Sequence, residues 1–155
     1  RQYYTLIVER MAAIGVPVDP EAPRSALAEF WENIDAYLPP KGCLVVAETE
    51  TGELVGCGML KTLSQGTGEL KRLYVSDAAR GTGAGRNLVQ AREAEARRMG
   101  LTRLVADTLT SNIEMRGLYP KLGFEEVEGP IETTTYQEQP MLRPHMHYFV
   151  KDISA

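Results

Sequence analysis

The chain has 155 residues, of which 43% are hydrophobic and 25% are charged, and its formal net charge is -4. These values are ordinary for a globular domain that is large enough to bury a core without metal or disulfide staples. The acidic balance argues against nucleic acid as a partner, and no apolar run approaches the ~20 residues that a membrane-spanning helix needs.

Two amphipathic helices are predicted ahead of any strand. Residues 2–14 place apolar side chains on one face at helical spacing, and Gly15 ends that run. A second helix is predicted over residues 25–38, where Pro39-Pro40 stops it. Its inward-facing apolar residues are expected to be Leu27, Phe30, Trp31, Ile34 and Leu38. Because Arg1 already lies inside the first helical pattern, we expect an N-terminal element to be missing from this chain.

The pattern then changes to a period of two. Residues 43–50 and 53–63 are typical of two strands joined by a Thr51-Gly52 turn, and residues 69–75 form a third. Alternation puts Glu69, Lys71, Leu73 and Val75 on one face of that third strand, and Leu70, Arg72 and Tyr74 on the other. Both faces carry apolar bulk, which predicts a central strand covered on both sides. Cys43 and Cys57 form no CxxC pair, which favours free thiols and a cytoplasmic location over a disulfide or metal site.

The second half of the chain alternates helices and strands. The predicted elements are a helix over 85–99, a strand over 103–109, a short helix up to residue 122, and strands over 124–129 and 145–153. The element order, two helices followed by β-β-β-α-β-α-β-β, predicts one mixed α/β domain over residues 1–155. His145 and His147 share one face of the last strand, but without a third ligand nearby we predict no metal site.

Three alternating glycines, Gly81, Gly83 and Gly85, connect the third strand to the helix that follows. A glycine-rich turn of this kind presents unpaired backbone N–H groups at the positive end of the helix dipole, where phosphate oxygens bind. The turn lacks the GxxxxGK[ST] pattern of a P-loop, and its third glycine comes one position early for a dinucleotide site. These departures favour a different phosphate-bearing ligand. Two alternatives remain, which are a turn that binds no ligand and an NAD or nucleotide site.

Two sequence blocks resemble motifs of the GNAT superfamily of N-acetyltransferases. The block ELKRLYVSDAARGTGAGRNLVQ, residues 69–90, is similar to motif A, and its RGTGAG fits the signature R/Q-x-x-G-x-G/A. The block DTLTSNIEMRGLYPKLGFEEV, residues 107–127, resembles motif B. The resemblance implies an α/β (α+β) fold whose mixed, mostly antiparallel central sheet is splayed at the cofactor site and flanked by helices. That family usually begins with a strand, which this chain lacks.

The resemblance implies acetyl-CoA as the cosubstrate. Its pyrophosphate would bind at the glycine turn, on Arg80, Gly81, Thr82, Gly83, Ala84, Gly85 and Arg86. Its pantetheine arm would run antiparallel to the third strand, bonded to main chain at Leu73, Tyr74 and Val75, and the strand at residues 106–108 would diverge. Asn112 matches a position that often contacts the arm, and a plain helix cap is an equal alternative.

The implied reaction is direct attack by an amine on the thioester, which needs a base for the amine and an acid for the thiolate. Tyr119 matches the motif B tyrosine that donates a proton or a hydrogen bond to the departing CoA sulfur. The alternative is a tyrosine that only packs in the core. Gly117 and Pro120 predict a distorted turn around it. Glu69 matches a position where some members carry the base, with an exposed ion pair to Lys71 or a water chain as alternatives.

The implied acceptor is a primary amine of a small molecule or peptide, with no nucleic-acid or membrane partner. Acidic residues in the second helix, Glu29, Glu32 and Asp35, would favour a cationic amine if they wall the acceptor site. The rival function is a GNAT-like module that binds acyl-CoA as a sensor or partner-binding domain without turnover. The oligomeric state stays open, with a homodimer as one option.

Overall fold

Two helices lead into a six-stranded sheet, in the element order that the sequence predicts. The computed structural model describes residues 1–135 and 139–154. Its helices are α1 (Gln2–Ala13), α2 (Ala22–Glu32), α3 (Ala84–Arg98) and α4 (Ile113–Lys121). Its strands are β1 (Gly42–Glu48), β2 (Leu54–Ser64), β3 (Thr67–Val75), β4 (Arg103–Leu109), β5 (Glu125–Val127) and β6 (Met146–Asp152). None of the helices in the described part of the chain is long and apolar enough to cross a membrane.

The sheet is mixed and mostly antiparallel, as predicted. Its strand order is β1-β2-β3-β4-β6-β5, and only the β3–β4 pair is parallel. That parallel pairing runs from Thr67 opposite Arg103 to Leu70 opposite Ala106 and then stops. Since β3 continues to Val75 and β4 to Leu109, the two strands diverge over their second halves. The predicted splay of the sheet is therefore confirmed.

A β-bulge in β3 breaks the strict alternation that the sequence predicts. Cys57 of β2 pairs with Tyr74, but Met59 pairs with Lys71, so β3 holds one extra residue in this interval. Arg72 takes up the extra residue with φ 51, a left-handed conformation that is uncommon outside glycine. The face on which each side chain lies consequently changes across the bulge.

The buried Arg92 of α3 donates hydrogen bonds to backbone carbonyls next to this bulge. Its Nε donates to the Leu88 carbonyl at 3.0 Å, and its Nη1 donates to the carbonyls of Met59 at 3.1 Å and Lys71 at 3.3 Å. Gly58 makes room for it, because a Cβ there would lie 2.8 Å from Arg92 Nε. Removing this side chain would take these hydrogen bonds away from buried carbonyls, which is costly.

The second helix is shorter than predicted. It ends at Glu32, where the backbone and side-chain amides of Asn33 both donate to the Glu29 carbonyl, at 3.1 and 2.9 Å, and a 3-10 helix, Ile34–Tyr37, follows. The change of helix type alters which of the side chains after Glu32 face the core. Phe30 and Tyr37 are buried against Met59, whereas Trp31 is 62% exposed and Leu38 is 40% exposed, so the inward prediction for those two was wrong.

Candidate functional site

The glycine turn joins β3 to α3 through a short 3-10 helix, Asp77–Ala79. Gly81 has φ 79 and Gly83 has φ 89, and a Cβ on either would meet nothing within 4 Å among the described residues. Glycine is needed here for its backbone conformation, and the space above the turn is open. The amides of Ala84, Gly85 and Arg86 have no acceptor within the helix, whereas the Asn87 amide donates to the Gly83 carbonyl at 3.0 Å, so the turn is suited to receive an anion.

The other residues of the turn have separate roles. Thr82 Oγ1 donates to the Ala79 carbonyl at 2.6 Å, which fixes the loop. Gly85 lies inside α3, where a Cβ would be in ordinary contact with Leu118 and Val75. Arg80 and Arg86 are exposed, and Arg80 is paired with Asp77 at 2.8 Å. An exposed pair of this kind contributes little, so Arg80 is free to meet an anionic ligand.

A cavity of about 520 Å³ lies where β3 and β4 diverge, and it is also lined by α1, α2, α4 and the segment before β6. Leu73, Asn112 and Tyr119, all predicted site residues, line it together. Tyr74 and Val75 pair with Cys57 and Gly56 of β2, so their other strand edge faces the gap beside β4. The open strand edge thus runs from the glycine turn toward the cavity.

Tyr119 lies in regular α-helix despite its neighbours. Helix α4 extends through Pro120 to Lys121, so the predicted distortion around Tyr119 was wrong. Its ring lies 5.0 Å from the rings of Phe124 and Phe149, measured between centroids. Burial raises the pKa of its phenol to about 12, so the hydroxyl stays protonated at neutral pH and can donate a hydrogen bond.

Asn112 is both a helix cap and a cavity residue. Its side chain accepts from the Met115 amide at 3.4 Å as the N-cap of α4, and it also lines the cavity. The two alternatives that the sequence left open are therefore compatible in the fold.

Glu69 is completely buried, and the exposed ion pair that was its alternative role is wrong. The Thr134 amide donates to its two carboxylate oxygens at 3.0 and 3.2 Å, and the Thr134 hydroxyl donates as well. Lys71 Nζ lies 3.4 Å from Glu69 Oε1 and donates to Thr135 Oγ1 at 3.2 Å. The pair with Lys71 exists, but it belongs to a buried network held by the loop before β6.

Sequence reasoning missed Asp107, the carboxylate of this network that lines the cavity. Thr133 Oγ1 donates to Asp107 Oδ2 at 2.5 Å. Burial raises the pKa of the Asp107 carboxyl, against the opposing effect of the Lys71 ammonium. The available signal was a single carboxylate in the apolar strand RLVADTL, which is unusual unless that group has a partner or a function.

The remaining predicted polar residues are dispersed. Glu29 lines the cavity, whereas Glu32 and Asp35 are both exposed and lie outside its lining. His145 ends a 3-10 helix, Pro140–His145, and His147 lies in β6 with Nδ1 2.5 Å from Glu126 Oε1, so the predicted shared strand face was wrong. Within residues 1–135 and 139–154, no group of three or more His, Cys, Asp or Glu is placed to hold a metal ion.

Comparisons with known proteins agree with this geometry. The model of the GNAT acetyltransferase family matches residues 7–124. A protein of Azospirillum brasilense named IAA acetyltransferase is 35% identical over 81% of this chain and 98% of its own length. A solved Klebsiella pneumoniae structure, assigned as an acyl-CoA N-acyltransferase, is 28% identical with TM-score 0.65 and covers 89% of this chain and 93% of that one. A GNAT acetyltransferase from Elizabethkingia anophelis with acetyl-CoA bound has the same fold, at 24% identity and TM-score 0.60 over 78% and 82% of the two chains.

Proposed function

The chain belongs to the GNAT family of acetyltransferases, and we propose that it moves an acetyl group from acetyl-CoA to a primary amine of a small molecule or peptide. The observation that carries this proposal is the divergence of β3 from β4, which connects the open glycine turn to a cavity lined by Asp107 and Tyr119. The relative from Elizabethkingia anophelis with bound acetyl-CoA supports the choice of acyl donor.

The turn and the strand edge would bind the donor in two parts. The backbone amides of residues 81–86 would hold the pyrophosphate, with Arg80 and Arg86 adding charge. The free edge of Leu73 to Val75 would pair with the amides of the pantetheine arm as with an added strand. The open space over Gly81 and Gly83 fits this use, because nothing described in the chain occupies it.

The chemistry is one acyl transfer. As the amine nitrogen forms its bond to the thioester carbonyl carbon, the carbon–sulfur bond breaks and the CoA thiolate leaves. Tyr119 would donate a hydrogen bond to that sulfur, for which its protonated state at neutral pH is suited. A main-chain N–H near the β3 bulge would stabilise the carbonyl oxygen as it becomes negative.

The buried carboxylate network would accept the proton that the amine loses. Asp107 would face the amine in the cavity, and Glu69, the base that the family resemblance implies, would lie behind it with Lys71. A carboxylate whose pKa is raised by burial is a better proton acceptor than an ordinary one. The contacts of Thr133 and Thr134 would hold the two carboxylates in place.

A cytoplasmic location is proposed on the state of the two thiols. Cys43 and Cys57 are both free, and Cys43 is buried. Burial raises the pKa of both thiols, which keeps them protonated and unreactive. A reducing compartment is where such free thiols are usual.

The test combines calorimetric binding of acetyl-CoA with thiol release across a panel of primary amines. We expect binding of acetyl-CoA with a Kd in the micromolar range and turnover of at least one amine. Binding without turnover of any amine would show a CoA-binding module instead of an enzyme. Absence of binding would refute the proposed site itself.

A further inference from the structure

Arg72 is a cavity cation that the proposed reaction does not use. Its Nε donates to the Tyr4 hydroxyl at 2.9 Å, and its Nη1 donates to the Tyr37 hydroxyl. Its guanidinium carbon lies 4.9 Å from the ring centre of Tyr37, 5.4 Å from that of Phe30 and 5.9 Å from that of Tyr4. Aromatic rings and hydroxyls therefore hold the side chain in one orientation against the cavity wall.

The three cations that line the cavity differ in their partners. Arg10 pairs with Glu114 at 3.4 Å, and Lys71 pairs with Glu69 at 3.4 Å. Arg72 has no carboxylate within 4.0 Å among residues 1–135 and 139–154. Its two hydrogen-bond partners are tyrosine hydroxyls and not carboxylates, so its positive charge has no ion-pair partner while it is partly removed from water.

The donors of Arg72 are also incompletely used. A guanidinium has five N–H donors, and the described hydrogen bonds use one on Nε and one on Nη1. Nη2 keeps both of its hydrogens without a partner in the described chain. Arg92 also has an unpartnered Nη2, but it lies in the core, where three backbone carbonyls accept its other hydrogen bonds, and it has no part in the cavity lining.

We propose that Arg72 binds a carboxylate of the acceptor, so that the preferred substrate is an amine that carries an acidic group. The inference rests on the proposed function and names the substrate class of the same site. A planar guanidinium fork matches a carboxylate with two parallel hydrogen bonds, which a lysine at this place would not provide. Asp107 in the same cavity supplies the opposite charge for the amine end, so the cavity suits an amino carboxylate.

The experiment compares matched acceptor pairs, each an amino carboxylate and its uncharged carboxamide, such as β-alanine with β-alaninamide and phenylalanine with phenylalaninamide. For the wild-type enzyme we expect kcat/KM for the acid to exceed that for the amide by about 30-fold or more. Arg72→Gln should bring the ratio near 1, mostly through the acceptor KM, while the Kd for acetyl-CoA stays within about twofold. Equal rates for acid and amide in the wild-type enzyme would overturn the proposal.

Two further variants keep the test informative if Arg72→Gln does not fold. Tyr4→Phe keeps the ring and the charge of Arg72 but removes the hydroxyl that holds Nε, and it should lower the acid-to-amide ratio several-fold. Arg10→Gln removes a cavity cation that already has a carboxylate partner, and it should leave the ratio unchanged. An unchanged ratio in Tyr4→Phe together with a lowered ratio in Arg10→Gln would assign the recognition to Arg10 and contradict the proposal.

Failure of the inference is distinguishable from failure of the proposed function. If no amine is turned over, calorimetry of acid and amide binding to the protein saturated with CoA makes the same comparison without chemistry. Tighter binding of the acid that is lost in Arg72→Gln would support the carboxylate site even then. Equal turnover and equal binding of acid and amide would refute the carboxylate site.

Discussion

At the scale of single residues, Tyr119 and the buried carboxylates carry the proposed chemistry. We predict that Tyr119→Phe lowers kcat by about 100-fold, because the departing sulfur loses its hydrogen-bond donor. The Kd for acetyl-CoA should change little, and so should the melting temperature, since the ring contacts with Phe124 and Phe149 are kept. Rapid mixing with acetyl-CoA and a good acceptor measures the transfer step directly.

A matched control for Tyr119 is Tyr148→Phe. Tyr148 is also buried at 4% exposure but lies in β6, outside the lining of the cavity. The Tyr148→Phe variant should keep the transfer rate of the wild type. An equal loss of rate in the two variants would mean that Tyr119 acts through stability of the fold, as a plain core tyrosine.

The Asp107 carboxylate should lower the stability of the fold at high pH and raise the activity of the enzyme. Its folded-state pKa is raised by burial, so its contribution to stability is full below the unfolded value of about 3.9 and is lost as pH rises through the folded value. Asp107→Asn should therefore have a higher melting temperature than wild type at pH 8, with the difference vanishing near pH 4. Its kcat/KM should fall by about 100-fold. Melting curves between pH 4 and 8 and kcat/KM at pH 8 test both effects; a destabilised, active variant would contradict them.

At the scale of elements, the N-terminus of α3 depends on a glycine that has an internal control. Gly83 and Gly100 flank the same helix, with φ 89 and φ 76, and a Cβ on either meets nothing within 4 Å in the described chain. Alanine at either position should cost about 1 kcal/mol of stability through its backbone conformation. Only Gly83→Ala should also weaken acetyl-CoA binding, by tenfold or more, because its methyl group would enter the phosphate site.

Calorimetric titration of the two alanine variants, beside their melting curves, separates strain from binding. If both variants bound acetyl-CoA as the wild type does, the turn would have no role in phosphate binding. The sequence alone identified this turn, because positive-φ glycines between a strand and a helix are a local requirement that neighbouring residues reveal.

The third strand shows where local patterns stop being informative. Alternation predicts that Arg72 lies on a regular strand face. At the bulge, its side chain instead packs against the aromatic rings of Tyr4 and Tyr37. Next to the bulge, the Lys71 carbonyl accepts a hydrogen bond from Arg92, which is 21 residues away in sequence. A contact between two elements leaves no periodic signal in either, so the sequence pattern could not predict it.

At the scale of the whole molecule, the site exists because one parallel strand pair stops halfway. Leu70 opposite Ala106 is the last matched position, and beyond it the chain must fill or line the space between β3 and β4. Helix α1, helix α4 and the segment before β6 supply that lining. These pieces are distant in sequence, which is why the contacts of Thr133 with Asp107 and of Tyr4 with Arg72 became recognisable only in the folded chain.

The sequence by itself determined the order of the elements, the family, the glycine turn and the positions of Tyr119 and Asn112. These features follow from periodicity, from glycine and proline chemistry, and from motifs of contiguous residues, all of which are local. Only the tertiary structure decided that Glu69 is buried behind Asp107 and that Arg72 faces the cavity without a carboxylate partner. Burial and charge pairing depend on which distant segments meet, and that is set by packing of the whole chain.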